Sequence, residues 1–175
     1  GSEMCIRDRI SIVYSSKTGN TLSVAEKIKD TIGCVEYFGN PCNEATDSDL
    51  IFVGFWTDKG KCSQEIEDFL HTLHGKTIAL FGTAGFGEDK SYFDRILSAV
   101  KSEISSDNKI VDGFMCQGRM PQAVRERYEK MLAKDPNNIQ FTALINNFDS
   151  ALMHPDDNDY RNAESWTKHI LSENN

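Results

Sequence analysis

Short apolar runs recur along the first two thirds of the chain, and each ends at glycine, proline or polar residues. Residues 10–14 are uncharged and rich in β-branched side chains, and residues 50–55 are apolar nearly throughout. Such strands are typical of a parallel sheet that is covered on both faces. The pattern predicts five strands, over residues 10–14, 34–38, 50–55, 77–81 and 110–116.

Between these runs, apolar residues return every three or four positions, which is the spacing of an amphipathic helix. Helices are predicted over about residues 21–32, 63–73 and 93–104. Strands that alternate with helices indicate an α/β fold with a doubly wound, five-stranded parallel sheet and helices on both faces. For a short chain the expected strand order is 2-1-3-4-5, with the ligand site beyond the carboxyl ends of the strands.

Extra helical segments follow the fifth strand, over about residues 121–133 and 138–153 and after a break at residues 154–157. We expect one domain over residues 10–175, with a ligand-binding core at 10–120 and C-terminal helices at 121–175. Residues 1–9 show no pattern of this kind. We predict that they are a cloning remnant or disordered.

The first predicted strand runs into a polar loop that is followed at once by a helix. Unpaired N–H groups and the positive end of the helix dipole favour a phosphate group at such a place. The candidate phosphate-binding residues are Ser16, Lys17, Thr18, Gly19, Asn20 and Thr21. Neither G-x-x-x-x-G-K-[ST] nor G-x-G-x-x-G is present, and the neutral donors favour a mononucleotide over a nucleoside triphosphate. A Ser/Thr-rich turn alone more often caps a helix, but its place at the switch point of the sheet favours a ligand.

Residues 12–28 are similar to the FMN-phosphate signature of the flavodoxin family. The matching positions extend over strand, loop and helix and include Ser16, Gly19, Thr21, Ala25 and Ile28. The resemblance implies a flavodoxin-like fold that holds one FMN non-covalently. A CheY-like receiver, which shares the fold, is rejected because Ser15 and Phe55 stand where it needs acidic residues.

The resemblance also implies that the flavin ring lies between the loops after the third and fourth strands. In the first of these loops, Trp56 is a candidate to stack on the ring, and Gly60 permits the peptide rearrangement that accompanies one-electron reduction in the family. Three neighbours are expected near the polar edge of the ring: Thr57, Asp58 and Lys59. The second loop adds Thr83, Ala84, Gly85, Phe86 and Gly87. For Phe86, a place in the core or at the rim is an equal alternative.

The loop after the fifth strand is also expected at the ligand end of the sheet. Its candidate contacts with a partner or substrate are Gln117, Gly118, Arg119 and Met120. Together with residues 55–60 and 154–157, this loop resembles a subgroup of short flavodoxin-like proteins of anaerobic gut bacteria, associated with bilirubin reductase. The C-terminal helices depart from ordinary short flavodoxins, so the docking surface of those proteins does not carry over.

The net charge of the chain indicates which classes of binding partner are favoured. The 27 acidic and 19 basic residues give a formal charge of −8, which disfavours nucleic acid and membrane surfaces and favours a redox partner with a basic docking face. No apolar run approaches the ~20 residues of a membrane helix, and we expect a cytoplasmic monomer.

The five cysteines are widely spaced without C-x-x-C, which argues against a metal site or disulfide framework and favours buried thiols.

These features together favour an electron-transfer flavoprotein over a stand-alone enzyme, since no residue pair stands out as acid and base. The resemblance implies a partner redox enzyme, for which a bilirubin or other tetrapyrrole reductase is the candidate. Two alternatives stay open. One is an NAD(P)H-dependent FMN or quinone reductase of the same fold, for which Arg119 would bind an anionic substrate, and the other is a non-redox accessory protein.

Overall fold

A parallel sheet forms the centre of the computed structural model, which describes residues 9–87 and 89–174. Its strands are β1 Ile10–Tyr14, β2 Tyr37–Gly39, β3 Leu50–Trp56, β4 Thr77–Ala84, β5 Lys109–Ile110 and β6 Phe114–Gln117. The order β2-β1-β3-β4-β5 confirms the predicted 2-1-3-4-5 topology. Apart from Arg9, the N-terminal segment that we predict to be foreign or disordered lies outside the described residues.

The predicted fifth strand is interrupted. β5 and β6 both pair with β4 in parallel, and the chain leaves the ladder between them. The carbonyl oxygen of Asp112 there accepts a hydrogen bond from the indole Nε1 of Trp166 at 2.9 Å. Because Trp166 is 54 residues away along the chain, the local pattern of residues 110–116 does not reveal this break.

Six α-helices in the described ranges flank the sheet, close to their predicted positions. They are α1 Asn20–Ile32, α2 Gln64–His71, α3 Lys90–Lys101, α4 Gln122–Lys134, α5 Ile139–Ala151 and α6 Asp157–Glu173. A short 3₁₀-helix at Asn43–Asp47 was not predicted. None of the described helices is long and apolar enough to cross a membrane.

Two apolar clusters fill the two faces of the sheet. Alternate residues of β3 point to opposite sides, so that Ile51 and Val53 join the cluster beneath α2 and α3, and Phe52 joins the cluster beneath α1 and α6. The indole of Trp166 on α6 packs edge-on against Phe52, with ring centroids 5.5 Å apart. The sheet is therefore covered on both faces, and its open end is at the carboxyl ends of the strands.

The last three helices have different positions. α6 packs along α1 on one face of the sheet, whereas α4 and α5 pack on each other. Arg125 of α4 joins this pair through Nε, which lies 2.9 Å from Oδ1 of Asp149 on α5. Because α4 begins a few residues after β6 ends, its first turns lie at the ligand end of the sheet.

The cysteines follow the expectation only in part. Cys62 and Cys116 are buried thiols, and burial raises the pKa of both, to about 11 for Cys62. Cys42 is exposed, and Cys34 is disulfide-bonded. The expectation of buried free thiols is therefore wrong for these two.

Candidate functional site

The loop between β1 and α1 leaves the start of the helix open. α1 has no side-chain cap, and its N-cap residue is Gly19 at φ 88°. In the described part of the chain the N–H groups of residues 17–21 donate to no protein acceptor, while the N–H of Leu22 reaches Ser16 Oγ at 3.3 Å. Free N–H groups at the positive end of a helix dipole form an anion site.

Asn20 is buried at the base of this loop and has one polar atom without a partner. Its Nδ2 donates to Thr18 Oγ1 at 2.9 Å and to the carbonyl oxygen of Arg119 at 2.8 Å. Its Oδ1 is buried and accepts no hydrogen bond from any described residue. A buried acceptor without a donor is destabilising. A ligand hydroxyl, such as one on the ribityl chain of FMN, would supply the missing donor.

A cavity of about 550 Å³ opens at the carboxyl ends of the strands, beside this loop. Most of the predicted site residues line it, from the phosphate loop, from both predicted ring loops and from the loop after β6. The predicted residues outside the lining are Ser16, Gly19, Thr21, Gly87 and Gln117. The structure therefore brings together segments that lie far apart in the sequence.

Three of the residues outside the lining pack behind it and stabilise the loops that form the cavity. Thr21 is buried, and its hydroxyl lies 3.0 Å from that of Thr83, which joins the phosphate loop to the end of β4. Gln117 is buried as well, and its Nε2 donates to the carbonyl oxygen of Gly85 at 2.9 Å. Gly87 lies directly against Gln117.

An aromatic ring at the end of β3 and a charge from the phosphate loop meet at the cavity. Trp56 is partly buried at the end of β3, and Lys17 Nζ lies 5.0 Å from the centre of its ring. At this distance the ammonium of Lys17, a residue of the phosphate loop, makes a cation–π contact with the indole. One indole face is thus occupied by an ammonium group that a flavin ring on that face would have to displace.

A tight turn follows Trp56. Asp58 and Lys61 exchange two backbone hydrogen bonds, of 2.7 and 3.1 Å. The residues between them, Lys59 and Gly60, both have positive φ, 52° and 80°, as in a type I′ turn. A glycine adopts this conformation without steric penalty, so the turn itself favours a glycine at position 60.

An ion cluster ties this turn to the helices. Lys61 Nζ lies 2.7 Å from Glu103 Oε2 and 3.3 Å from Glu67 Oε1. His71 Nε2 lies 2.8 Å from the other oxygen of Glu103. Hydrogen bonds from Lys61 and His71 hold the pKa of the Glu103 carboxyl low, at about 2.

The loop after β4 is held by a helix that sequence reasoning did not connect with the site. Asn147 on α5 donates through Nδ2 to the carbonyl oxygen of Gly85 at 3.0 Å, and its Oδ1 accepts from Gln117 Nε2 at 3.3 Å. Phe86, the next residue of the loop, is 38% exposed and packs edge-on against Tyr92, with ring centroids 6.3 Å apart. Phe86 also lines the cavity, so its contact with a flavin stays a prediction.

Sequence reasoning also missed several lining residues, namely Tyr92, Pro121, Val124, Arg127 and Tyr128. All but Tyr92 come from the start of α4. The sequence could have indicated these residues of α4, because α4 follows directly from the predicted contact loop at residues 117–120. Asn147 gave no such signal, since its contact with Gly85 depends on how α5 folds back.

The charged residues that line the cavity are mostly basic. Lys17, Lys59, Arg119 and Arg127 stand against the single carboxylate of Asp58, and no histidine is among the described lining residues. The whole chain, by contrast, has a formal charge of −8. The cavity therefore favours an anionic ligand within an acidic molecule.

A match to a family model identifies the family of this chain. The family model for the flavodoxin domain matches residues 11–168. The chain belongs to the flavodoxin family. FMN is the cofactor of that family and of this chain, and the free N–H groups, the unpaired Asn20 oxygen and the basic cavity fit it.

Two relatives extend the similarity over most of the chain. The flavodoxin-like domain-containing protein BilS of Clostridium symbiosum is 41% identical in an alignment of 172 residues, and the match covers 86% of this chain and 90% of that protein. BilS of Clostridioides difficile is 35% identical in an alignment of 167 residues, and the match covers 91% of this chain and 94% of that protein.

Solved flavodoxin structures share the fold at low sequence identity. Oxidised flavodoxin 2 of Bacillus cereus has a TM-score of 0.55 at 20% identity and covers 94% of this chain and 99% of its own. Flavodoxin 1 of the same species also has a TM-score of 0.55, at 14% identity, over 94% of this chain and 97% of its own.

Proposed function

We propose that this flavodoxin-family protein is an electron carrier, which holds FMN in the cavity and exchanges electrons with a partner redox enzyme. The observation that carries the proposal is that the open start of α1 and the ring of Trp56 face one cavity. Asp58 is the only carboxylate among the described residues that line it. This lining offers little acid–base chemistry for converting a substrate, whereas a carrier needs only to bind and orient its flavin.

Bound FMN supplies the redox chemistry, and the chain supplies binding, orientation and electrostatics. The free N–H groups of residues 17–21 would hold the phosphate, and Asn20 Oδ1 would accept a ribityl hydroxyl. Trp56 would cover one face of the ring. Gln117 and Asn147 would keep the Gly85 loop in one conformation beside the ring, which reduces the ordering needed on binding.

The partner that we propose is a bilirubin or other tetrapyrrole reductase with a basic docking face. Support comes from the subgroup resemblance at residues 55–60, 117–120 and 154–157, and from relatives named BilS in two clostridial species. The formal charge of −8 supports a basic docking partner. A monomeric state and a cytoplasmic location remain predictions.

A direct test separates the carrier from the alternatives. NAD(P)H is added without oxygen to the FMN-loaded protein alone, and its oxidation is compared with that by the same concentration of free FMN. A carrier oxidises NAD(P)H no faster than free FMN does, yet its flavin is reduced readily by dithionite. Rapid oxidation would instead identify a reductase, and failure to bind FMN would identify an accessory protein.

A further inference from the structure

Arg119 lies over the phosphate loop, although the sequence suggested a contact with a partner or substrate. Its Nη2 is 3.4 Å from the carbonyl oxygen of Thr18. The same atom is 3.7 Å from the place where a Cβ on Gly19 would lie. The guanidinium is thus beside the N-cap of α1 and the free N–H groups that follow it.

Backbone contacts hold Arg119 in this place. Its N–H donates to the carbonyl oxygen of His154 at 3.1 Å, and its own carbonyl oxygen accepts from Asn20 Nδ2 at 2.8 Å. Gly118 makes this approach possible, because a Cβ there would lie 2.5 Å from Asn20 Nδ2. None of these contacts needs the Arg119 side chain, so its replacement leaves the loop anchored.

The charge of Arg119 is not neutralised within the described part of the protein. No described carboxylate lies within ion-pair distance of it, whereas Arg125 on α4 is paired with both Glu129 and Asp149. The Arg119 side chain donates only to the Thr18 carbonyl oxygen. A planar guanidinium with free donors beside free backbone N–H groups suits a phosphate, which it can bind through two parallel hydrogen bonds.

We propose that Arg119 binds the 5′-phosphate of FMN and thereby gives the site its preference for FMN over riboflavin. The proposal rests on the proposed function, since it assumes that FMN occupies the cavity. The loop itself offers the phosphate backbone N–H groups, neutral side chains and the ammonium of Lys17, which lies over the Trp56 ring. The proposal adds the guanidinium of Arg119 as a charged partner of the phosphate.

Titration with two flavins tests the proposal. Flavin-free wild-type protein and the Arg119→Gln, Arg119→Lys and Arg161→Gln variants are each titrated with FMN and with riboflavin, and quenching of flavin fluorescence is followed. Arg161 is an exposed arginine on α6 outside the cavity. Its variant therefore controls for the change in total charge.

The expected result is specific to the phosphate. Arg119→Gln weakens FMN binding about 10- to 100-fold, because charge-assisted hydrogen bonds are lost, and leaves riboflavin binding unchanged. Arg119→Lys recovers part of the loss, since it keeps the charge but not the planar donors. Arg161→Gln keeps the wild-type preference.

Three outcomes would overturn the proposal. An unchanged FMN affinity in Arg119→Gln would show that the side chain does not reach the phosphate. An equal loss of FMN and riboflavin binding would show that Arg119 acts on the ring or on the loop. Wild-type protein that binds neither flavin would overturn the proposed function as well, so the two failures are distinguishable.

Discussion

Trp56 and Arg119 both line the cavity and would contact different parts of one ligand. Trp56 ends β3 beside the predicted ring position, whereas Arg119 lies over the start of α1. Stacking acts on the flavin ring, which FMN and riboflavin share. A contact with the phosphate acts on FMN alone, so the two side chains can be told apart by the pattern of flavins that each affects.

Trp56→Ala is expected to weaken the binding of FMN and of riboflavin to the same extent, by about tenfold, because an aromatic contact with the ring is lost. Trp56→Phe retains an aromatic face and should lose less. Fluorescence titration with both flavins measures this. A loss confined to FMN would contradict the assignment of Trp56 to the ring.

Local motifs were enough to predict a loop that leaves the start of α1 open. Thr18, Asn20 and the free N–H groups of the phosphate loop follow from a strand, a polar turn and a helix in immediate succession. The position of Arg119 did not follow, because its contact with Thr18 joins residues 101 positions apart. Such a contact depends on the approach of two loops, which Gly118 permits.

At the scale of elements, helices that flank the sheet fix the site loops. α5 holds the loop after β4 through Asn147 and the Gly85 carbonyl oxygen. The ion cluster around Glu103 holds the turn after Trp56 against α2 and against the segment that follows α3. Asn147 and Glu103 are not among the described residues that line the cavity, and each contact can be tested separately.

Asn147→Ala is expected to lower the free energy of unfolding by about 1 kcal/mol, because the hydrogen bonds of Asn147 with Gly85 and Gln117 are lost. Flavin affinity should fall as well, since the Gly85 loop is less ordered. The exposed neighbour in Asn146→Ala is the control, with an expected change below about 0.5 kcal/mol. Denaturant unfolding measures both, and equal effects of the two variants would contradict the role of Asn147.

Glu103 makes the stability of this region depend on pH. Its carboxyl has a pKa of about 2 in the folded protein against an ordinary value of 4.5. A lowered pKa stabilises the fold above the ordinary value, and this stabilisation is lost as the pH falls from 4.5 towards 2.

Glu103→Gln should therefore flatten the dependence of the unfolding free energy on pH between these two values. The measurement is denaturant unfolding at a series of pH values, and Glu126→Gln, at an exposed position of α4, serves as the control. A slope identical to that of wild type in the Glu103 variant would show that this carboxyl does not govern the acid transition.

Periodicity predicted the helices and most strands because it reflects which faces are buried. It failed where a distant side chain decides the local structure. The break between β5 and β6 is such a place, where the carbonyl oxygen of Asp112 accepts a hydrogen bond from the distant Trp166. The same pattern could not show that β4 extends to Ala84, where it forms part of the cavity.

At the scale of the whole molecule, charge is distributed unevenly. The chain is acidic, with a formal charge of −8, but the charged lining of the cavity is mostly basic. The FMN phosphate would neutralise part of that basic lining. A basic partner would then dock on acidic surface outside the cavity lining, and the sequence could indicate only the total charge.

Electron transfer from the reduced, FMN-loaded protein to a basic haem protein is expected to slow as ionic strength rises, because salt screens attraction beyond a Debye length of about 10 Å at 0.1 M. Stopped-flow absorbance measures the rate, and an acidic acceptor protein provides the comparison. A rate to the basic acceptor that rises with salt would contradict docking on an acidic surface.

The proposal that the protein is an FMN electron carrier is tested most directly by its visible absorption spectrum. Flavin-free protein is loaded with FMN, freed of excess flavin and reduced stepwise without oxygen. The account predicts one bound FMN per chain that is reduced in two resolved one-electron steps, because the cofactor brings that chemistry and the protein separates the steps. Absence of bound flavin, or reduction only in a single two-electron step, would contradict it.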